Sequence, residues 1–419
     1  MKVSGTLRVP GDKSISHRSL ILGALADGES RVTDILQSAD VHSTATVLRT
    51  LGVDIPELSP DFVVHGRGLR GLRQPSRELD CGNSGTTTRL MAGVIAASAV
   101  VATFIGDASL SRRPMRRVAR PLEAMGARFE LPRHGGLPMT IHGGELHNIV
   151  WNSEVASAQV KSAILLAGLI SGVRARVIEK NKTRDHTERM LEARGALVHV
   201  DDSAVTIEPR STLRALDTAV PGDPSSAAFF AGLAAIADEG ELRLERVCVN
   251  ETRIGFFQQL RRMGVSVLEI DRRLDGGEWV ADLVVSPGEL RGGSVGEHDV
   301  PSMVDELPLL ACLATRADGE TVITGASELR VKESDRIAAT VANLRAVGAT
   351  ADELPDGMRI QGSAGPLRGR VVTHGDHRLA MAFGILGAAA GNAIRIDDPA
   401  CVAVSYPAFW SDLARVTSA

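Results

Sequence analysis

An apolar, Ala- and Gly-rich segment occurs six times along the chain, and any fold this sequence adopts must bury every copy. The copies are HRSLILGALADG, GTTTRLMAGVIAAS, SAQVKSAILLAGLISG, PSSAAFFAGLAAIADEG, VDELPLLACLATRADG and DHRLAMAFGILGAAAG. They return at intervals of roughly seventy residues, the self-similarity of a repeated supersecondary unit. Helices that are apolar nearly all round belong inside a protein. A short β-type run follows each copy, as in SRVTDI or RARVIEK. A second, more polar helix comes next and closes on a Leu and Gly signature in five of the six copies. Its glycines, Gly52, Gly126, Gly195, Gly264 and Gly348, stand where a left-handed residue commonly ends a helix. A strand, a turn and a strand then complete the repeat. The sixth copy stops after its second helix, PAFWSDLARV.

Each repeat therefore reads as apolar helix, strand, amphipathic helix, strand, strand. A chain of 419 residues exceeds what one core usually supports, so the six repeats predict two α/β domains of three each, with sheets around a helical interior. The division is expected within Val220 to Asp223. The strand Lys2 to Pro10 is expected to complete the sixth repeat, so the chain would cross twice, near Gly11 and near Gly222. Residues 12–221 would then form one domain, and residues 1–11 with 222–419 the other. Aromatics make up only 3% of the chain, which predicts a core of closely packed helices without an aromatic cluster.

A net charge of −4 argues against a protein that coats nucleic acid, so any anion site must be built from locally gathered cations. Cys81, Cys248, Cys312 and Cys401 form no C-x-x-C pair, which indicates neither zinc nor a disulfide framework and fits a reducing cytoplasm. The opening MKVSGTLRVP lacks the apolar region of a secretory signal. Leu90 to Gly106 imitates a membrane span, but its small and hydroxylated residues favour a buried helix running into a strand. Neither a membrane nor a nucleic acid is expected as a partner.

In PGDKSISHRSLILGALADG, Lys13, Ser14, Ser16, His17 and Arg18 crowd the start of a buried helix, where unpaired N–H groups and the helix dipole favour an anion. Further cations border the other apolar helices: Arg113, Lys161, Arg184, Lys332, Arg336 and Arg378. Neutral polar groups accompany them at Asn83, Ser84, Gly85, Thr86, Ser157 and Gln159. Equivalent loops of a repeat converge on one face, which predicts a cleft for phosphate or carboxylate. Asp305 and Glu333 stand among these cations, where a carboxylate either pairs structurally or transfers protons. HGRGLRG satisfies G-x-G-x-x-G but ends a hairpin, and PGDKS lacks the upstream glycine of a Walker loop. His142 and His147 have no convincing third ligand, so no metal or other cofactor is expected.

Ten motifs in order along the chain resemble the enolpyruvyl transferase family: GDKSISHR, CGNSGTTTRL, DASLSRRPM, SAQVKSAILLAG, TRDHTE, PGDPSSAA, PSMVDELP, LRVKESDR, GDHRLAMAF and VSYPAF. The resemblance implies two inside-out α/β domains, each of three βαβαββ repeats, joined by a double hinge that closes over the substrates. It implies transfer of the enolpyruvyl group of phosphoenolpyruvate to the 5-hydroxyl of shikimate 3-phosphate with release of phosphate, in the cytoplasmic pathway to chorismate and aromatic amino acids. By motif, Lys13, Ser14, Arg18, Ser157, Ala158, Gln159, Arg184, Asp305 and Lys332 would bind shikimate 3-phosphate. Lys13, Asn83, Gly85, Arg113, Gln159, Arg336, His377 and Arg378 would bind phosphoenolpyruvate. Asp305, Glu333 and Lys13 would carry the chemistry. A monomer that needs no cofactor is implied.

Four positions depart from the family pattern: Val404 replaces a frequent Lys, Ala158 a second Ser, Arg184 a Tyr and Glu328 an Asn. Gly85 is expected to leave room for a bulkier phosphoenolpyruvate analogue such as glyphosate. Two other activities remain open on the sequence. One is transfer to UDP-N-acetylglucosamine, against which stand a loop DASLSRRPMRR without Cys and the pair Lys13-Ser14 in place of Lys-Asn. The other is a catalytically silent anion binder, against which stands retention of both Asp305 and Glu333.

Overall fold

A computed structural model describes residues 1–154 and 156–418 and divides the chain into two compact units. The first comprises Gly11–Val220 with Leu274–Glu278. The second comprises Met1–Pro10, Pro221–Arg273 and Trp279–Ala419. Among the described residues no helix is long and apolar enough to cross a membrane.

In the first unit the helices are α1 (Lys13–Leu25), α2 (Ala39–Thr50), α3 (Gly85–Ala96), α4 (Ala108–Arg112), α5 (Arg116–Ala124), α6 (Ala158–Ser171) and α7 (His186–Ala193). The apolar helices α1, α3 and α6 are buried over almost their whole length, as helices with no polar face must be. Close approach of α3 and α6 depends on small residues: a Cβ on Gly93 would lie 2.1 Å from the Ala163 carbonyl oxygen. In the second unit the helices are α8 (Pro224–Ala235), α9 (Gly255–Arg262), α10 (Leu307–Ala314), α11 (Arg336–Ala346), α12 (His377–Ala388) and α13 (Phe409–Val416). Here α8, α10 and α12 form the buried set.

The sheets follow one pattern. Ile149–Ser153 and Ala175–Glu179 are parallel across α6; Ala204–Ile207 then pairs antiparallel with Ala175–Glu179, and Val198–Val200 lies outermost. Two other four-stranded sheets repeat this order through Leu79–Asp80 and through Ser294–Val295. The five signature glycines all have positive φ, +87° at Gly52 for example, as their helix-ending position requires.

Strand exchange departs from expectation. Gly5–Leu7 pairs in parallel with Leu242–Cys248 and so completes the fourth repeat rather than the sixth. Reciprocally, Thr218–Ala219 pairs with Glu29–Thr33 and completes the first repeat. Only Lys2–Val3 joins the sixth repeat, antiparallel to Thr417–Ser418. The strand preceding α1 in sequence thus serves the repeat of α8, and the strand preceding α8 serves that of α1. At Gly11 the backbone is so close to its surroundings that a Cβ would lie 2.3 Å from the Asp34 carbonyl oxygen.

The core also departs from expectation. Phe229, Phe230, Tyr406, Phe409 and Trp410 form an aromatic cluster in the second unit, with ring centroids 4.9 to 6.0 Å apart. Scarcity in the composition did not mean dispersal. Five of the rings collect where α13 and the turn before it pack on α8, in the repeat that has no full sheet of its own.

Candidate active site

In the first unit the Asp12 carboxylate caps α1 by accepting from the Ile15 N–H at 2.8 Å. Lys13 follows at once and is ion-paired with Asp40, yet it keeps 32% of its side chain exposed. Burial would raise the Asp40 pKa, but the Lys13 charge and hydrogen bond pull it below the usual carboxylate value. One turn on, Arg18 is only 4% exposed. It donates from Nε to Thr187 Oγ1 at 2.7 Å, from Nη1 to the Ser14 carbonyl at 3.0 Å, and from Nη2 to Ser162 Oγ at 2.9 Å. All three acceptors are neutral, and two of its five N–H groups remain to be filled. Burial lowers its pKa to about 10, so the guanidinium stays charged at neutral pH. The positive charge of Arg184, in the loop before α7, contributes to that lowering.

His17 connects α1 to the next motif. Its Nδ1 lies 2.7 Å from Thr44 Oγ1, which lies 2.6 Å from Thr87 Oγ1, which donates to Ser84 Oγ at 2.7 Å. Burial, followed by the charge of Lys13, lowers the His17 pKa to about 3 and keeps the ring neutral. Ser84 is the N-cap of α3, accepting from the Thr87 N–H at 3.1 Å. Beside it Asn83 accepts from Arg113 Nη2 at 2.7 Å and donates to Asp107 at 2.6 Å, which aims the Arg113 fork. A Cβ on Gly85 would stand 2.8 Å from Arg89 Nη1 and 3.4 Å from Arg113 Nη1. Two guanidinium groups thus flank the start of α3. Gln159, at the start of α6, accepts from Arg89 Nη1 at 2.8 Å and donates to Thr86 Oγ1 at 2.9 Å. Ser157 is the N-cap of that helix and Ala158 its first residue.

Arg89 is not among the cations the sequence singles out. It lies four residues after Gly85, on the same face of α3, but an Arg there also reads as an ordinary helix cation. Lys161 is the opposite case. Its motif groups it with the anion-binding cations, but its Nζ lies 2.7 Å from both Glu179 and Glu188, with all three side chains buried. Its charge is committed to the interior.

In the second unit Asp305 lies in a 3-10 turn, Val304–Glu306, that leads into α10. Three cations surround its carboxylate: Arg336 Nη1 at 3.3 Å, Lys332 Nζ at 3.5 Å and Arg378 Nη2 at 3.9 Å. Arg336 opens α11 and also donates to Glu333 Oε2 at 2.7 Å and to Asp376 Oδ2 at 2.8 Å. Asp376 is the N-cap of α12, accepting from the Arg378 N–H at 3.0 Å. Asp305, Lys332, Glu333, Arg336, His377 and Arg378 therefore belong to one charged cluster. Burial would raise the Glu333 pKa, but the Arg336 charge holds it down to about 2. Burial and the neighbouring Arg378 and Arg336 lower His377 to about 3, so its ring is neutral at pH 7.

The model of the EPSP synthase (3-phosphoshikimate 1-carboxyvinyltransferase) family matches residues 1–413. The chain belongs to the EPSP synthase family. It is 49% identical to the 3-phosphoshikimate 1-carboxyvinyltransferase of Sulfurihydrogenibium sp. (strain YO3AOP1), across 99% of this chain and 98% of that one. With the enzyme of that name from Novosphingobium aromaticivorans it shares 50% identity, over 99% and 97% of the two chains. Among solved structures, EPSP synthase from Acinetobacter baumannii superposes with a TM-score of 0.90 at 40% identity, covering 99% of this chain and 96% of the other. The enolpyruvyl transferase NikO from Streptomyces tendae, at 17% identity and TM-score 0.77, shares the fold. Within this EPSP synthase family member, the departures Val404 and Glu328 differ in setting: Val404 is 45% exposed, whereas Glu328 is the second residue of the 3-10 turn Ser327–Val331 just before Lys332.

Proposed function

We propose that this enzyme transfers the carboxyvinyl group of phosphoenolpyruvate to the 5-hydroxyl of shikimate 3-phosphate, releasing phosphate, in the pathway to chorismate and aromatic amino acids. The observation that carries this reading is Arg18: a buried guanidinium hydrogen-bonded to two hydroxyls and a carbonyl, with no carboxylate in ion-pair range among the described residues. Glu188, Asp12 and Glu278 act on it only from beyond ion-pair distance, and a buried charge without a contacting counter-charge is costly unless a ligand supplies one. Each substrate brings a carboxylate and a largely dianionic phosphate.

In this reading Lys13, Ser14, Arg18, Ser157, Ala158, Gln159 and Arg184 hold shikimate 3-phosphate, with Asp305 and Lys332 at its hydroxyls. Ala158 offers a backbone N–H in the first turn of α6, where such groups lack intrahelical acceptors. Lys13 must leave Asp40 to reach an anion, which its exposure permits. Lys13, Asn83, Gly85, Arg113, Gln159, Arg336, His377 and Arg378 receive phosphoenolpyruvate. Planar Arg forks suit its carboxylate and phosphate oxygens, and the neutral His377 ring can donate one hydrogen bond.

The reaction proceeds by addition and elimination. Asp305 takes the proton of the attacking 5-hydroxyl while Glu333 protonates the methylene carbon. Glu333 is ionised at neutral pH as long as Arg336 faces it. The negative charge that phosphoenolpyruvate brings beside Arg336 offsets this pull, so Glu333 takes up the proton it donates when phosphoenolpyruvate binds. The Glu333 carboxylate then takes back a methyl proton as the tetrahedral adduct expels phosphate and the carbon–carbon double bond reforms, with Lys13 and the arginines stabilising the developing charge. The enzyme acts as a cytoplasmic monomer. A phosphate-release assay tests the reading: release with shikimate 3-phosphate as acceptor and none with UDP-N-acetylglucosamine is expected. The reverse preference, or no release with either, would overturn it.

A further inference from the structure

Glu306 plays no part in the reaction described above, yet it occupies an unusual place. It is the residue after Asp305 and the N-cap of α10, but its side chain makes no capping hydrogen bond. A carboxylate at a helix start ordinarily accepts from the first turn's N–H groups. Here the side chain turns inward until only 3% is exposed, and Oε1 lies 3.4 Å from Arg378 Nη1. The Ser225 hydroxyl and the charge of Arg253 also act on its carboxylate. Ser225 and Arg253 are themselves fixed, because Arg253 Nη2 lies 3.1 Å from Ser225 Oγ and 3.4 Å from Asp223 Oδ1. Asp223 is the N-cap of α8, and its N–H donates to the Pro10 carbonyl at 2.8 Å.

We propose that Glu306 is a positioning residue for phosphoenolpyruvate: it anchors the Arg378 guanidinium from behind, through Ser225, Arg253 and Asp223, and fixes the direction in which its free N–H groups point. The proposal rests on the reading of Arg378 as a phosphoenolpyruvate ligand. Arg378 needs such an anchor because its other contacts, the Asp305 carbonyl 3.4 Å from Nη1 and the Asp305 carboxylate 3.9 Å from Nη2, are long and lie on a single residue, which leaves a long flexible side chain much rotamer freedom. Burial raises the Glu306 pKa, against the pull of Arg378. An acceptor oxygen is what the role requires, and a glutamine supplies one.

Steady-state kinetics with phosphoenolpyruvate and shikimate 3-phosphate test this on the full chain. Glu306→Ala should raise KM for phosphoenolpyruvate about 10- to 100-fold, the range for losing a hydrogen bond to a charged group. Its kcat and its KM for shikimate 3-phosphate should change by less than about threefold. Glu306→Gln should restore KM for phosphoenolpyruvate to within about threefold of the parent, because its amide oxygen still accepts from Arg378. In an Arg378→Ala background, Glu306→Ala should add nothing. If the alanine variant does not fold, Glu306→Asp, whose carboxyl stops short of Arg378, should show the same selective rise. The proposal is overturned by an unchanged KM for phosphoenolpyruvate, by additive losses in the double variant, or by equal damage to both substrates in the Gln and Ala variants. An Arg378→Ala enzyme with unchanged KM for phosphoenolpyruvate would overturn the reading of Arg378 itself. A raised value there with silent Glu306 variants would overturn only the anchor.

Discussion

Arg336 grips Asp376 at two points, Nε to Oδ2 at 2.8 Å and Nη2 to Oδ1 at 3.2 Å, with side chains only 1% and 0% exposed. Such a pair holds the start of α11 against the start of α12, because Arg336 is the first residue of one helix and Asp376 caps the other. Removing one member of a buried pair leaves the other charge exposed to a low-dielectric interior. Asp376→Ala should therefore lose about 3 kcal/mol of stability, near the low end for a broken buried pair because Glu333 and Asp305 still face Arg336. Urea unfolding of the variant beside the parent measures it, and a loss under about 1 kcal/mol would contradict the assignment.

Glu333 links this cluster to pH. Its folded pKa of about 2 lies below the ordinary 4.5, so the folded state favours the ionised form. That contribution is fully present above pH 4.5 and is lost as the pH falls toward 2. The stability difference between the parent and Glu333→Gln should be flat from pH 8 to 5 and shrink below pH 4.5. A difference that grew on acidification would show that Arg336 does not hold the carboxylate. The same variant should lose turnover at pH 7, since Gln cannot give up a proton to carbon.

Asp305 is ringed by Arg336, Lys332 and Arg378, so its replacement leaves three cations facing the site. Asp305→Ala should abolish turnover while retaining measurable affinity for shikimate 3-phosphate, because Lys13 and Arg18 are untouched. Titration calorimetry alongside the phosphate-release assay separates the two effects. Full activity would remove Asp305 from the chemistry.

Lys161 tests the distinction between a binding cation and a structural one. Two buried glutamates share its ammonium, and burial already raises the Glu188 pKa. Lys161→Met strands both carboxyl groups and should lose about 3 to 5 kcal/mol. Adding Glu179→Gln and Glu188→Gln should recover part of that. KM values for both substrates, measured well below the melting temperature, should stay within about twofold of the parent. A selective rise in either would return Lys161 to the binding site.

The repeated apolar helices and their glycine stops were legible because both follow from local sequence: hydrophobic period sets burial, and a left-handed residue sets the helix end. Strand partners were not. Gly5–Leu7 and Thr218–Ala219 carry two or three residues each, too few for alternation to specify which repeat they join. The cluster of Asp305, Glu333, Arg336 and Arg378 could be read from motif and charge, since cations in equivalent loops share a face. Three contributions needed coordinates. Arg89 looks like any helix cation until Gln159 is seen against it, and Lys161 looks like a site cation until Glu179 and Glu188 are placed. Glu306 looks like a helix cap until its side chain is found turned toward Arg378.

Gly85 gives the sharpest test of site geometry. Its backbone has no left-handed φ, so alanine there adds no backbone strain, and the whole effect must come from the new methyl group. That methyl would stand 2.8 Å from Arg89 Nη1 and 3.4 Å from Arg113 Nη1, and both groups are tips of flexible side chains that can yield. Displacing them costs about 1 kcal/mol or somewhat more, roughly a five- to tenfold rise in KM for phosphoenolpyruvate. A longer analogue such as glyphosate needs the same space and more, so its inhibition constant should rise further than KM does. The ratio of the two constants decides the matter: a ratio above the parent's places the bound analogue against Gly85, and an unchanged ratio places it elsewhere.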